Sequence, residues 1–158
     1  MSLIHAGAAV IDGQVCRPGW VQTAGPTISA CGAGRPAQPP DVDFPDALLV
    51  PGFVDMHVHG GGGASVTDGD IGRAARFHAR HGTTTMLASL VTAAPAALLD
   101  AVTRAAQATR LGAVAGIHLE GPWLSRARCG AHDPTQLRAR TPPRSRRCWP
   151  PPTAPSEW

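Results

Sequence analysis

Residues 83–119, TTTMLASLVTAAPAALLDAVTRAAQATRLGAVAGIHL, decide the fold. Thr83 to Leu90 is β-branched and apolar, as a buried strand requires. Pro95 to Leu111 is alanine-rich and closed by Gly112, and Val114 to Leu119 is apolar again. Strand, helix and strand with short loops between them predict a right-handed βαβ unit and a parallel sheet. Both strands are continuously apolar rather than alternating, the pattern expected where helices cover a sheet.

The same rhythm extends upstream. Asp70 to His81 reads as an amphipathic helix closed by Gly82, Gly60 to Gly63 as a loop, and Ala47 to His57 as one strand with Pro51-Gly52 near its middle. Residues 3–50 read differently, as short strands and turns. Ile4 to Val10, Trp20 to Ala24 and Thr27 to Cys31 are β candidates, Asp12-Gly13 is a hairpin turn signal, and Gly32 to Pro45 is a Pro- and Gly-rich loop. Downstream, Asp133 to Arg138 looks like a helix start. No internal repeat is present.

Composition narrows the function. The 158 residues are 43% hydrophobic and 16% charged, with no apolar run long enough to span a membrane. The N-terminus lacks the basic region of a secretory signal, which predicts a cytoplasmic protein. Cys16, Cys31, Cys129 and Cys148 form no Cys-x-x-Cys pair, so neither a zinc ribbon nor a disulfide framework is indicated. Lys, Tyr and Asn are absent, as expected of a GC-rich gene. The net charge of +3 lies wholly in residues 140–158, which hold four Arg and one Glu; residues 1–139 balance ten Arg against ten Asp or Glu. The body of the protein thus carries no polyanion-binding signature, and nucleic acid is not an expected partner.

Chemistry concentrates at two strand ends. His57 and His59 lie two apart on a strand, so both side chains point to one face while Val58 points to the other. Two imidazoles so placed can bind one divalent ion; the alternative is two polar residues ending a strand beside a Gly-rich loop. Parallel α/β folds build active sites at the C-terminal ends of their strands, which favours the first reading. Asp55 is expected on the same face, either orienting an imidazole or satisfying backbone donors. Glu120 follows the Val114 to Leu119 run and emerges at the same rim, as a metal ligand or as a helix cap or ion-pair partner. His118 lies deeper on that face and is expected to be a hydrogen-bonded core histidine. His132, on the loop beyond Gly130, can donate to a substrate carbonyl or be a plain surface histidine. Cys129 shares that loop as a substrate-adjacent residue, and nothing nearby marks it as an activated thiolate. His5, His78 and His81 have no such setting.

Taken together, PGFVDMHVHGGGG (Pro51 to Gly63), HGTTTMLASLVT (His81 to Thr92) and GIHLEGPWLSRARCGAHDP (Gly116 to Pro134) resemble the amidohydrolase superfamily, and within it the N-acetylglucosamine-6-phosphate deacetylases. The resemblance runs from the N-terminus to about residue 139. It implies an α/β fold: about the first three βα units of a (β/α)8 barrel over 51–139, preceded in 1–50 by strands of a small β-sandwich domain. It implies hydrolysis of the acetamide of N-acetylglucosamine 6-phosphate, with a divalent metal ion, zinc or iron, as cofactor. Glu120, His57 and His59 would be metal ligands, and His132 would polarise the amide carbonyl. The expected partner is a small amino-sugar phosphate, with no membrane or nucleic acid involved, and a full-length relative would be a homodimer. Two further histidine ligands, the aspartate base and the phosphate-binding residues should come from later barrel strands. They have no counterpart after residue 139, so the chain as it stands is expected to be inactive, with an open sheet edge.

Residues 140–158, RTPPRSRRCWPPPTAPSEW, break the pattern abruptly. Six Pro and four Arg in nineteen residues exclude a helix or strand interior and predict a disordered tail. A GC-rich gene read out of frame yields such Pro and Arg codons, so the expectation is a frame shift near Arg140. Sequencing the gene should reveal a continued βα pattern in one of the other two frames beyond codon 140; its absence from both would refute the shift.

Overall fold

The structure, a computed structural model of the chain, describes residues 1–139; the expected out-of-frame tail lies outside the described residues. The chain divides into two compact units, the first Met1–Pro51 and the second from Gly52 onward.

The first unit is a sheet of five strands, β1 (Ser2–Ile11), β2 (Gln14–Cys16), β3 (Gly19–Ala24), β4 (Thr27–Ala33) and β5 (Val42–Leu49). Its antiparallel path is β2-β1-β3-β4, with β5 added parallel to β1. Asp12 and Gly13 both adopt positive φ, 49° and 75°, and close the β1–β2 hairpin where Ile11 faces Gln14. Two positive φ angles suit the tight turn that matches strand twist, which is why Asp-Gly signals it.

Two expectations fail at β5. The Gly32 to Pro45 loop ends early, because a strand begins at Val42, and the single strand from Ala47 to His57 is two strands in different units. Pro51 has no N–H to give a ladder, and the chain from Val50 to Gly52 is unpaired. Pro45 is tolerated inside β5 because the β1–β5 register slips between Ala6 and Ala8. A Cβ on Gly7 would lie 1.9 Å from the Pro45 carbonyl oxygen, so only glycine fits opposite the bulge. Two polar side chains add to the main-chain ladder of this pairing. Asp41 accepts from the Leu3 N–H at 2.7 Å, and buried His5 places Nδ1 2.8 Å from Asp43.

The second unit runs β6 (Phe53–Val58), a small hairpin β7 (Gly60–Gly61) and β8 (Ala64–Ser65), α1 (Ile71–Ala79), β9 (Thr83–Val91), α2 (Pro95–Arg110) and β10 (Gly116–Glu120). The parallel sheet has the order β10-β9-β6. Asp70 caps α1, accepting from the Arg73 N–H at 3.2 Å, and Gly82 follows it at φ 93°. Pro95 opens α2 at its first turn and Gly112 closes it at φ 73°. β10 starts two residues later than expected, since Val114 turns into the core instead. The expected helix at Asp133 is absent. The Asp133 carboxylate accepts from the Thr135 N–H and hydroxyl at 2.8 and 2.7 Å, a local turn that competes with helix.

Val58, Met86, Ala88 and Leu90 of the sheet pack on Ile71, Leu98, Ala101 and Ala105 of the two helices. Alanines on the inner helix faces let the helices sit close to the sheet. Ser89 is also buried but alternates away from that layer, and Thr92 is buried just past the end of β9. Phe53, Val54 and Met56 of β6 remain 57%, 68% and 69% exposed, unlike the covered strand expected. Among the described residues no helix is long and apolar enough to cross a membrane. Leu98→Ala should cost about 2–5 kcal/mol in urea unfolding followed by circular dichroism, since Leu98 is 3% exposed at the centre of this layer.

Candidate metal centre

Between Asp55 and Val58 the β6–β9 register slips, so three steps of β6 span two of β9. Such a bulge re-aims side chains at a strand end. Val58 goes into the core, while the side chains of His57 and His59 stay about half exposed, at 53% and 45%. Of the two roles open to Asp55, the structure has the backbone one: its carboxylate accepts from the His57 main-chain N–H at 3.1 Å.

Glu120 ends β10 and pairs in register with Val91. It reaches both histidines. His57 Nε2 and His59 Nε2 lie 2.9 and 3.0 Å from Glu120 Oε2, and 2.9 Å from each other. Three donor atoms thus form a nearly equilateral triangle. Ligands about 2.0–2.1 Å from one ion stand about 2.9 Å apart at right angles and about 3.3 Å apart at tetrahedral angles, so the spacing is close to one face of a coordination shell. On the other side, Glu120 Oε1 is 3.2 Å from Nε2 of His132, whose side chain is 8% exposed.

The main chain of β9 assigns these imidazoles different jobs. His59 Nδ1 lies 3.2 Å from the Ser89 carbonyl oxygen, which can only accept, so Nδ1 carries the proton and Nε2 offers its lone pair to the triangle. His132 is the reverse. Its Nδ1 accepts from the Thr92 main-chain N–H at 3.3 Å and lies 2.9 Å from the Thr92 hydroxyl, while Nε2 faces the Glu120 carboxylate, which can only accept, so the proton sits on Nε2. One ring is set as a ligand and the other as a hydrogen-bond donor. His118 is hydrogen-bonded as expected, with Nδ1 3.0 Å from Ser89 Oγ and its ring edge-on to His57 at 5.0 Å between centroids.

Hydrogen bonds from His132 first and His57 second hold the Glu120 carboxyl down, from 4.5 to about 2, and their charges add to this. The carboxylate is therefore ionised whenever the imidazoles can ligate. A cleft of about 560 Å³ opens beside it, lined in part by Glu120, His132, Arg128, Cys129 and Gly130. Cys129 follows a single 3-10 turn, Arg126–Arg128, and its main-chain carbonyl accepts from the His132 N–H at 3.1 Å. Sequence reasoning passed over Ser89 and Thr92, although polar residues within a continuously apolar strand were a visible signal. His78, given no function from sequence, packs the Gly-rich hairpin on α1 with Nε2 2.9 Å from the Gly60 carbonyl oxygen.

The pattern of the Amidohydrolase family matches residues 48–144. The chain belongs to that family. A solved structure of N-acetyl-D-glucosamine-6-phosphate deacetylase from Mycobacterium smegmatis, a mutant in complex with N-acetyl-D-glucosamine-6-phosphate, is 43% identical with a TM-score of 0.89 over 93% of this chain and 39% of that one. N-acetylglucosamine-6-phosphate deacetylase of Bacillus subtilis is 33% identical over 86% of this chain and 38% of its own length. N-acetylgalactosamine-6-phosphate deacetylase of Shewanella is 33% identical over 87% of this chain and 34% of its own. This amidohydrolase chain therefore spans less than half the length of the relatives it matches. Amidohydrolases are generally dependent on divalent metal, and the His57, His59 and Glu120 donor set fits such an ion.

A carboxyl whose folded value lies below its unfolded one stabilises the fold above the unfolded value and loses that contribution as pH falls through the folded one. The Glu120 contribution should thus be complete above pH 4.5 and disappear on the way down to about 2. With chelator present, the stability difference between the parent and Glu120→Gln should narrow over that window; a difference constant with pH would contradict it.

Proposed function

We propose that this chain carries the first part of the active site of a metal-dependent amino-sugar deacetylase. The reaction is hydrolysis of the acetamide of N-acetylglucosamine 6-phosphate to glucosamine 6-phosphate and acetate. The observation that supports it most is the triangle of His57, His59 and Glu120 with a donor-set His132 beside it, in a chain 43% identical to the Mycobacterium smegmatis deacetylase. In this reading the second unit is the first three βα units of a (β/α)8 barrel, and residues 1–50 belong to a β-sandwich domain.

His57, His59 and Glu120 hold a divalent ion, zinc or iron. When bound, it supplies Lewis acidity and activates water at neutral pH. Glu120 brings the negative charge that holds a cation between two neutral rings. His59 is turned lone pair inward by Ser89, so it binds without losing a proton. His132 presents Nε2–H from a nearly dry position, where a donor stabilises the charge developing on an amide oxygen better than in water. Cys129 lines the cleft in which the acetamide would lie.

Water attack on an amide also needs a base to take a proton and an acid to return it to the amine. No histidine follows His132 and no aspartate follows Asp133 in the 158 residues, so the expected aspartate base is not among them. This polypeptide alone is therefore read as binding the ion and the cleft's ligand without turnover. The neutral charge balance of residues 1–139 supports a small-molecule partner over nucleic acid.

Calorimetry with zinc on the purified chain should give one ion per chain, with affinity at least about tenfold weaker in Glu120→Gln. Acetate release should be absent with the 6-phosphates of both N-acetylglucosamine and N-acetylgalactosamine. No ion binding would overturn the metal reading. Turnover abolished by Glu120→Gln would overturn the inactivity, and the preferred sugar would then name the substrate.

A further inference from the structure

We infer that Ser89 is a positioning residue that clamps the two ligand-bearing strands at a fixed spacing and so sets the ion affinity of the site. The inference rests on reading His57, His59 and Glu120 as that site. Ser89 is fully buried at 0% exposure, in the middle strand β9. Its hydroxyl accepts from the Val58 N–H at 3.0 Å, and Val58 lies between the two histidines. The bond falls where the β6–β9 register slips, so a side-chain oxygen serves a main-chain donor at an irregular point of the ladder. A hydroxyl has one proton and two lone pairs, so the same oxygen also bonds His118 Nδ1, 3.0 Å away.

One hydroxyl therefore grips β6 beside His57 and His59, and β10 two residues before Glu120. His118 in turn packs edge-on against His57, which ties the ring of one ligand to the same clamp. Three donor atoms within about 3 Å leave little tolerance: a small slide of β6 against β10 opens the triangle. Ser89 touches no donor atom of the triangle through its side chain, so its effect is on spacing alone.

Zinc affinity of Ser89→Ala, Ser89→Thr and Leu98→Ala can be measured on the 158-residue chain by chelator competition, with cobalt substituted to report the ligand field. Ser89→Ala should bind about tenfold or more weakly, with an altered cobalt absorption band. Ser89→Thr keeps the hydroxyl and should recover most of the affinity. Leu98→Ala should be less stable yet bind as the parent does. Parent-like binding by Ser89→Ala, or an equal loss in Leu98→Ala, would overturn the inference while leaving the metal site standing. Failure of the parent itself to bind zinc would overturn the site reading and the inference with it. Should Ser89→Ala not fold, amide hydrogen exchange of the parent decides the matter: a protected Val58 N–H supports the clamp, and a Val58 N–H that exchanges like an exposed amide overturns it.

Discussion

Both strands that bring chemistry to the site are paired to β9, and neither is paired to the other. The main chains that carry the histidines and the carboxylate are thus separated by two parallel ladders, each about 4.8 Å wide, and the side chains close that gap to 2.9 and 3.0 Å. Everything at the rim inherits its geometry from that strand. Met86, Ala88 and Leu90 lie in the hydrophobic layer under the helices, while Ser89 on the other face, and Thr92 just past the strand end, handle the polar contacts of the rim.

The bulge in β6 belongs to the same design. A regular strand would carry residues 55, 57 and 59 on one face, and the slip between Asp55 and Val58 breaks that regularity. Val58 still reaches the core, and the two histidines reach Glu120. The Asp55 carboxylate is left to bond the His57 main chain near the slip. A local irregularity thereby sets the approach of two imidazoles to one acid.

Much of this was legible in the letters. Asp12-Gly13, Asp70, Gly82, Pro95 and Gly112 are residues whose backbone preferences mark turns and helix ends by themselves, and each sits where those preferences place it. The pairing of His57 and His59 with Glu120 was legible from strand parity and from a family resemblance together. What escaped is what depends on partners remote in sequence. β5 is held by Asp41 and Asp43 bonding to β1, thirty-eight residues away, and no local pattern announces that. The apolar run from Ala47 to His57 predicts one strand, whereas Pro51 ends the first unit and a second begins at Gly52. Asp133 satisfies its own turn and forestalls the helix its neighbours suggested. Ser89 and Thr92 matter through hydrogen bonds that exist only after three strands have met.

The opposite settings of His59 and His132 are written in a carbonyl and an amide N–H of the main chain, at Ser89 and Thr92. Every residue type has that carbonyl, and every one but proline has that N–H. At position 92 the hydroxyl adds a second contact, 2.9 Å from the same His132 ring nitrogen. The setting of His59 is therefore inherited with the main chain at Ser89, whatever the side chain there, while that of His132 draws on both the N–H and the hydroxyl of Thr92.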